Sequence, residues 1–407
     1  MKKTRLKQYA SLIANVGAKV QKGQEVMIFA ELDQPEFVKM VVEECYKAGA
    51  KRVDVEWSYQ PLTKLHVRHR SLKTLGTVLD WEVEKLKRRV EILPVMIYLL
   101  SEDPDGLNGI NQKKYSKSSQ ERYKVIKPFR DQMENKYQWC IAAVPGVAWA
   151  KKVFPNCRKN EAVEKLWEAI LLTSRCGDDP VEQWNEHNAD LKSRCDYLNS
   201  LNIKSLHYTS SNGTDFTVGL IEGSQFLGGG EYTLSGNYYN PNIPSEEVFI
   251  SPKRGEAEGV VYSTMPLSYR GELIENFYIR FENGKAVEAK AEKNEELLNE
   301  LINMDEGSAY LGECALVPYD SPIRNSGILF YNTLFDENAA CHLALGEGFS
   351  SSIVGNEEMT LEQCREKGIN KSIVHEDFMI GSADLDITAK TRDGKTVQIF
   401  KDGNWAF

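Results

Sequence analysis

Strand and helix alternate along the first half of this chain, and the alternation stops near Asn202. GQEVMIFAEL carries a strand from Val26 to Ala30. PEFVKMVVEECYKAG follows as a helix, with Pro35 suited to its first turn and Gly49 to its C-terminal end. RVDVEW alternates as a strand ending at Trp57, and a helical stretch at 74–90 leads into the buried strand of EILPVMIYLLSED. A helix near 116–133 precedes another short strand in YQWCIAAVPG. Strands separated by helices favour parallel pairing, so this half predicts an α/β layer with a mostly parallel sheet. The segment 159–198 reads as helical, and after Asn202 short strands and turns take over, in KSLHYTSSNGTDFTVGL, EVFISPK, EGVVYS and LIENFYIRFENGKAVEAKA. SNGTD and ENGK are hairpin-type turns, and NEELLNELINM is one amphipathic helix among the strands. Two domains are predicted: 1–199, α/β with a helical last part, and 200–407, α+β.

A length of 407 residues suits two domains. The net charge of −9 argues against a nucleic-acid partner, whose electrostatic footprint is basic. Two local basic clusters interrupt that balance: Lys47, Lys51 and Arg52, then His66, Arg68, His69 and Arg70. A solvated face or an interface is the plain reading of both. In MKKTRLKQYASLIANVG the apolar residues Leu6, Tyr9, Leu12, Ile13 and Val16 recur at helical spacing, which predicts a surface helix rather than a signal peptide. No run approaches the roughly 18 apolar residues of a membrane span. The eight cysteines are scattered without a CxxC pair, as in a reducing compartment, so a cytoplasmic protein is expected.

The chain has no GxGxxG, no GxxxxGK[ST] and no GxSxG. His187 shares a helix face with Trp184 and Leu191, which suits a packed or interface histidine. His342 lies among small residues in CHLALGEG, and IVHEDF places His375 and Asp377 two apart, on one face of a strand. Such a pair serves as metal ligands, as a plain His–Asp hydrogen bond, or as a solvated edge. Glu313 in LGECALVP and Glu247 in NIPSEEVF abut apolar runs, where an ionised carboxylate needs a partner. The readings open for both are a metal, a cation such as Lys253, Arg254 or Arg324, or an exposed strand end. Carboxylates and imidazoles without thiolate suit zinc, cobalt or manganese in a hydrolytic site.

NIPSEEVF, VYSTMPLSYRGELIENF, LGECALVPYDSPI, GILFYNTLFDENAACHLALG and HEDFMIGSADLDI together resemble the signature blocks of the M29 family of bacterial metallo-aminopeptidases, in that family's order. DDPVEQWNEHNADLKSRCDYLN resembles its pre-catalytic block, so the likeness covers nearly the whole chain. The resemblance implies a two-domain homodimer that removes N-terminal residues from peptides with two divalent metal ions, zinc first, cobalt or manganese next. It implies Glu247, Glu313, His342, His375 and Asp377 as the metal ligands, and Glu313 as the catalytic carboxylate, acting as general base.

Two positions depart from the pattern. Seven residues after His342, where the family carries a tyrosine, stands Phe349, which has no hydroxyl to ligate or donate. Tyr319 and Tyr331 are the nearby residues able to supply one. Glu376 occupies a place expected to be apolar. A catalytically weakened peptide-binding member of the family and a related metal-dependent amidase are the alternative readings.

Overall fold

The computed structural model describes all 407 residues. They form two compact units: Met1–Glu186 with Gly230–Pro244, and His187–Gly229 with Ser245–Phe407.

The first unit is α/β. Its sheet runs in the order Arg52–Ser58, Glu25–Glu31, Val95–Leu100, Trp139–Ala143, Asn242–Ile243, and every neighbouring pair is parallel. Glu25–Glu31 and Val95–Leu100 have neighbours on both sides and are mostly buried, which explains their continuous apolar runs. Arg52–Ser58 is an edge strand, half-exposed, and its sequence alternates. Helix Pro35–Lys47 makes the crossover between the first two strands in sequence, burying Phe37, Val38, Val41 and Cys45. Its chain reverses at Gly49, whose φ of +100° suits a residue without a side chain. Helix Lys3–Leu12 buries Tyr9, Ala10 and Leu12, and the Tyr9 ring lies 5.7 Å from Phe37 and 6.1 Å from Trp167. This is the amphipathic surface helix expected, with Lys3, Thr4, Lys7 and Gln8 exposed and its apolar face packed on the core.

The changeover between the units falls inside helix Pro180–Ser200 and not at 199/200, and residues 230–244 belong to the first unit. An unbroken helix carries no glycine or proline to mark the changeover. The texture change at Asn202 instead marks where β structure begins.

The second unit is α+β and its two larger sheets are antiparallel throughout. The nine-stranded sheet includes the long hairpin Glu272–Glu282 and Lys285–Lys293, turned at Asn283 and Gly284 with positive φ at both. The five-stranded sheet runs Leu227–Gly228, Val248–Ile250, Leu311–Leu316, His342–Gly346, His375–Met379. Cys314, Leu316, Leu343, Leu345 and Phe378 from this sheet join a core with Phe216, Phe277, Phe281 and Leu298. Helix Glu295–Ile302 contributes Leu298, Leu301 and Ile302. No helix of the chain is long and apolar enough to cross a membrane, and all eight cysteines are unpaired.

Candidate metal centre

The five-stranded sheet has a second face, and the candidate ligands stand on it. Residues directly opposite each other in an antiparallel pair share a face, as do residues two apart on one strand. Glu313 is opposite Ala344, which is opposite Asp377, while Gly346 is opposite His375. His342 is two residues before Ala344. Phe249, opposite Ala315, places its predecessor-but-one Glu247 on the same side. Alternate residues of these strands, among them Cys314, Leu343, Leu345 and Phe378, face the core. The pleat thus separates packing from chemistry at every second residue.

The face brings all five predicted residues together. The ligand atoms of Glu247, Glu313 and His342 lie within 4.8 Å of one another, and so do those of Glu313, His375 and Asp377. Glu313 belongs to both groups. His342 Nε2 is 3.1 Å from Glu247 Oε2, and His375 Nε2 is 3.0 Å from Glu313 Oε2 and 3.5 Å from Asp377 Oδ1. Both imidazoles are oriented from behind: His342 Nδ1–H donates to the Ala340 carbonyl at 3.1 Å, and His375 Nδ1–H to the Glu347 carbonyl at 2.7 Å. With Nδ1 donating to a carbonyl, Nε2 is the nitrogen turned towards the carboxylates: it donates to them while protonated, and on losing that proton it offers the lone pair of a metal-ligating histidine.

Backbone geometry makes room for the set. Gly346 has a φ of +107°, and a Cβ there would fall 2.0 Å from the Val374 carbonyl oxygen. Asn370 Nδ2 donates to the Gly346 carbonyl at 2.6 Å and to the Gly307 carbonyl at 2.8 Å, pinning the end of the strand that carries His342.

Sequence reasoning missed Glu337. It follows the short helix Thr333–Asp336, and its carboxyl lies close enough to Asp377 for the two to act on each other's ionisation. Asn338 Nδ2 donates to Glu337 Oε1 at 3.2 Å. In FDENAACH a glutamate beside Asp336 and Asn338 reads as a solvated loop, and only its distance of five residues from His342 hinted otherwise. Asp336 is buried and clasps the preceding loop, accepting from Phe330 N at 2.8 Å and Asn332 N at 3.0 Å. Between them Tyr331 adopts a φ of +55°. The clasp fixes the turn from which Glu337 projects.

Other flagged residues lie elsewhere. Glu376 falls on the opposite face of its strand, opposite Leu345 in register, and the charges that act on it include Arg270. The Tyr319 hydroxyl accepts from Arg324 Nη2 at 3.0 Å. His187 Nε2–H donates to the Ser245 carbonyl at 2.7 Å, a packed histidine as expected. Phe349 does belong to the site's surroundings: its ring centroid lies 4.9 Å from that of His375 and 5.5 Å from Phe249.

The electrostatics describe a site short of positive charge. Burial, reinforced by Glu247 and Asp377 and offset by the bond to His375, carries the Glu313 carboxyl up to about 7. Burial also raises Glu337 well above the carboxylate range, with Asp377, Glu247 and Glu313 adding to it. Burial opposes the charging of His342, yet its bond to Glu247 and the nearby carboxylates carry it up to about 9. Burial likewise opposes His375, and Asp377 and Glu313 raise it well above the usual imidazole value. Against the pull of burial, the imidazoles hold Asp377 below the ordinary carboxylate range. Asp377 Oδ1 is buried with no hydrogen-bond donor. Four carboxylates gathered around two imidazole lone pairs, with one oxygen orphaned, form a donor set that divalent cations satisfy.

Comparison with known proteins agrees with this chemistry. A family model described as thermophilic metalloprotease (M29) matches residues 2–405. Aminopeptidase AmpS of Bacillus subtilis (strain 168) is 42% identical over 405 residues, covering 99% of this chain and 98% of that protein. Aminopeptidase 2 of Geobacillus stearothermophilus is 39% identical over 404 residues, with 99% and 98% covered. The structure of wild-type AmpT from Thermus thermophilus superposes with a TM-score of 0.90 at 36% identity, covering 100% of both chains. A match of this extent, in sequence and in backbone, leaves one conclusion: the chain belongs to the M29 family of thermophilic metalloproteases.

Proposed function

We propose that this protein is a metal-dependent aminopeptidase, in which Glu247, Glu313 and His342 hold one divalent cation and Glu313, His375 and Asp377 hold a second. The observation that carries the reading is the sharing of Glu313 by two three-residue groups on one sheet face. When bound, the ions supply Lewis acidity to the scissile carbonyl and to the attacking water. Zinc heads the compatible metals, followed by cobalt and manganese. The curated relatives are named aminopeptidases, and a free N-terminal ammonium suits a centre so rich in carboxylate. Peptides are the proposed substrates. Free thiols support a cytoplasmic setting, and the family likeness supports a homodimer.

Within this site the chain's own groups do the following. The Ala340 and Glu347 carbonyls lock the two imidazoles in the ligating tautomer. The Glu313 carboxylate takes a proton from the attacking water and returns it to the departing amine nitrogen, the role of a general base and then acid. Phe349, backed by Phe249, packs on the His375 ring and excludes water from that side.

One observation favours a second assignment of the base. A carboxylate that serves two cations with both oxygens has little basicity left, and Glu313 is in both groups. Glu337 is in neither, and it lies close to Asp377. Glu313→Gln and Glu337→Gln separate the assignments when turnover of a free-amine aminoacyl substrate is measured beside metal content. General-base loss lowers turnover by about 100- to 10,000-fold. If Glu313 is the base, its variant shows that loss and the Glu337 variant does not. If Glu337→Gln keeps its metal and loses turnover, the base is Glu337. Hydrolysis unaffected by verified metal removal overturns the aminopeptidase proposal itself, and equal rates on N-blocked substrates make the protein an amidase.

A further inference from the structure

The two basic clusters of the sequence have different fates in the structure. In the first, Lys47 pairs with Glu43 and Glu44, Lys51 with Glu25, and Arg52 with Asp54. The second stays without carboxylate partners. Helix Gln60–His69 carries His66, Arg68 and His69 in its last turn. Helix Gln112–Met133, 22 residues long, begins nearby with no acidic residue in its first turn, where Lys113 and Lys114 stand instead. Lysines at that end oppose the helix dipole, so the arrangement is unfavourable by itself.

Helix Gln60–His69, the turn at 109–111 and the first turn of helix Gln112–Met133 line an open-mouthed pocket of about 220 Å3. Lys64, Arg68, Lys114 and Asn111 line it, with Val67 and Ile110 as an apolar wall. None of the three cations forms a salt bridge. The Lys114 ammonium donates to the Val67 carbonyl at 2.6 Å, which fixes its position without neutralising it. Asn111 Oδ1 accepts from the Lys114 amide at 2.9 Å and caps the helix there. Three like charges around one small space repel each other unless an anion enters it.

We propose that this cavity binds a small dianion of the phosphate class, either free phosphate or the phosphate group of a small monoester. A guanidinium offers two parallel donors to phosphate oxygens, and the ammonium groups add point charge. The positive end of a long helix favours the same ligand. Val67 and Ile110 give the carbon of an ester an apolar surface to rest on. The site lies wholly within the first unit and shares no residue with the metal centre.

Titration calorimetry of the metal-loaded full chain tests the proposal, with inorganic phosphate, glycerol phosphate and succinate as separate probes. Saturable binding of phosphate is expected, weakened about tenfold or more in Lys64→Gln/Arg68→Gln, as the loss of two charged donors requires. Tighter binding of glycerol phosphate than of phosphate assigns the monoester as the ligand, and the reverse order assigns the free ion. Heat that persists unchanged in the double variant belongs to the metal centre and overturns the proposal. So does the absence of binding, or succinate binding as tightly as phosphate. If the double variant does not fold, acylation of the wild-type protein read by mass spectrometry gives an independent measure. Phosphate should then slow modification of Lys64 relative to the exposed Lys22, and equal rates overturn the site.

Discussion

His375 Nε2 stands 3.0 Å from Glu313 Oε2 although their strands do not pair; the two side chains meet across strand His342–Gly346. Ala344 and Gly346 are the only residues of that strand between them in register. The bridge exists because these two positions have almost no side chain.

Ala344→Val fills that gap with two methyl groups on a residue that suits a strand. Overpacking of this kind costs about 1 to 3 kcal/mol, and here the displaced groups are ligands. Metal content about tenfold below wild type is expected at equal metal supply, with the melting temperature little changed in metal-free protein. Elemental analysis checks the first and circular dichroism the second. Full metal content and turnover would locate the ions away from this face.

Metal removal should make stability depend on pH in one direction. In the metal-free fold Glu313 is carried to about 7 and Glu376 to about 8, from an ordinary 4.5, and His342 to about 9 from 6.5. Each group holds its proton more tightly folded than unfolded. Its contribution is complete below the unfolded value and is lost as pH rises through the folded one. Asp377, held low, acts in the opposite sense, but only as pH falls below 3.8. The metal-free protein should therefore melt lower at pH 9 than at pH 5, while bound metal keeps Glu313 and His342 deprotonated and leaves only the weaker dependence due to Glu376. Thermal melts across that range, with and without chelator, provide the check.

Glu376→Gln should spare the chemistry and improve the fold at alkaline pH. Burial, and then Asp377, push this carboxyl up to about 8 on the face opposite the ligands. Above that value the wild-type protein keeps a poorly solvated charge, and removing it should stabilise by about 1 to 2 kcal/mol after allowance for its partial exposure. Turnover within about twofold of wild type is expected, since the side chain does not reach the site. A large loss of metal or turnover would show that Glu376 acts through the sheet.

Phe349→Tyr adds a hydroxyl beside the His375 imidazole. The phenyl ring already packs on His375 and Phe249, and the five-residue set is complete around it. Turnover within about tenfold of wild type is expected, and a modest loss of stability if the buried hydroxyl finds no partner. A larger rise in turnover would identify the hydroxyl as a group that stabilises the transition state.

Long, periodic elements were readable from sequence because burial on both faces writes itself as continuous apolar runs, as in Val95–Leu100. Alternation in an otherwise buried strand singled out His375 and Asp377, while the full five-residue set came only from the family resemblance. Three features were not readable. The unit changeover lies within a continuous helix, where local propensity is unbroken. The two-residue strand Asn242–Ile243 is too short to leave a period, and its pairing with Trp139–Ala143 is non-local. Glu337 sits in a polar loop, and its place beside Asp377 is set by the turn that Asp336 clasps.

The sheet that carries the centre is held to two standards at once, and they alternate along each strand. Substitutions at 343, 345 and 378 should register as losses of folded protein, whereas those at 342, 344 and 377 should register as losses of function in protein that still folds. A map of every substitution, scored separately for abundance and activity, should therefore show stripes with a period of two across these two strands. Stability and catalysis would then be read off the same strands as two interleaved signals.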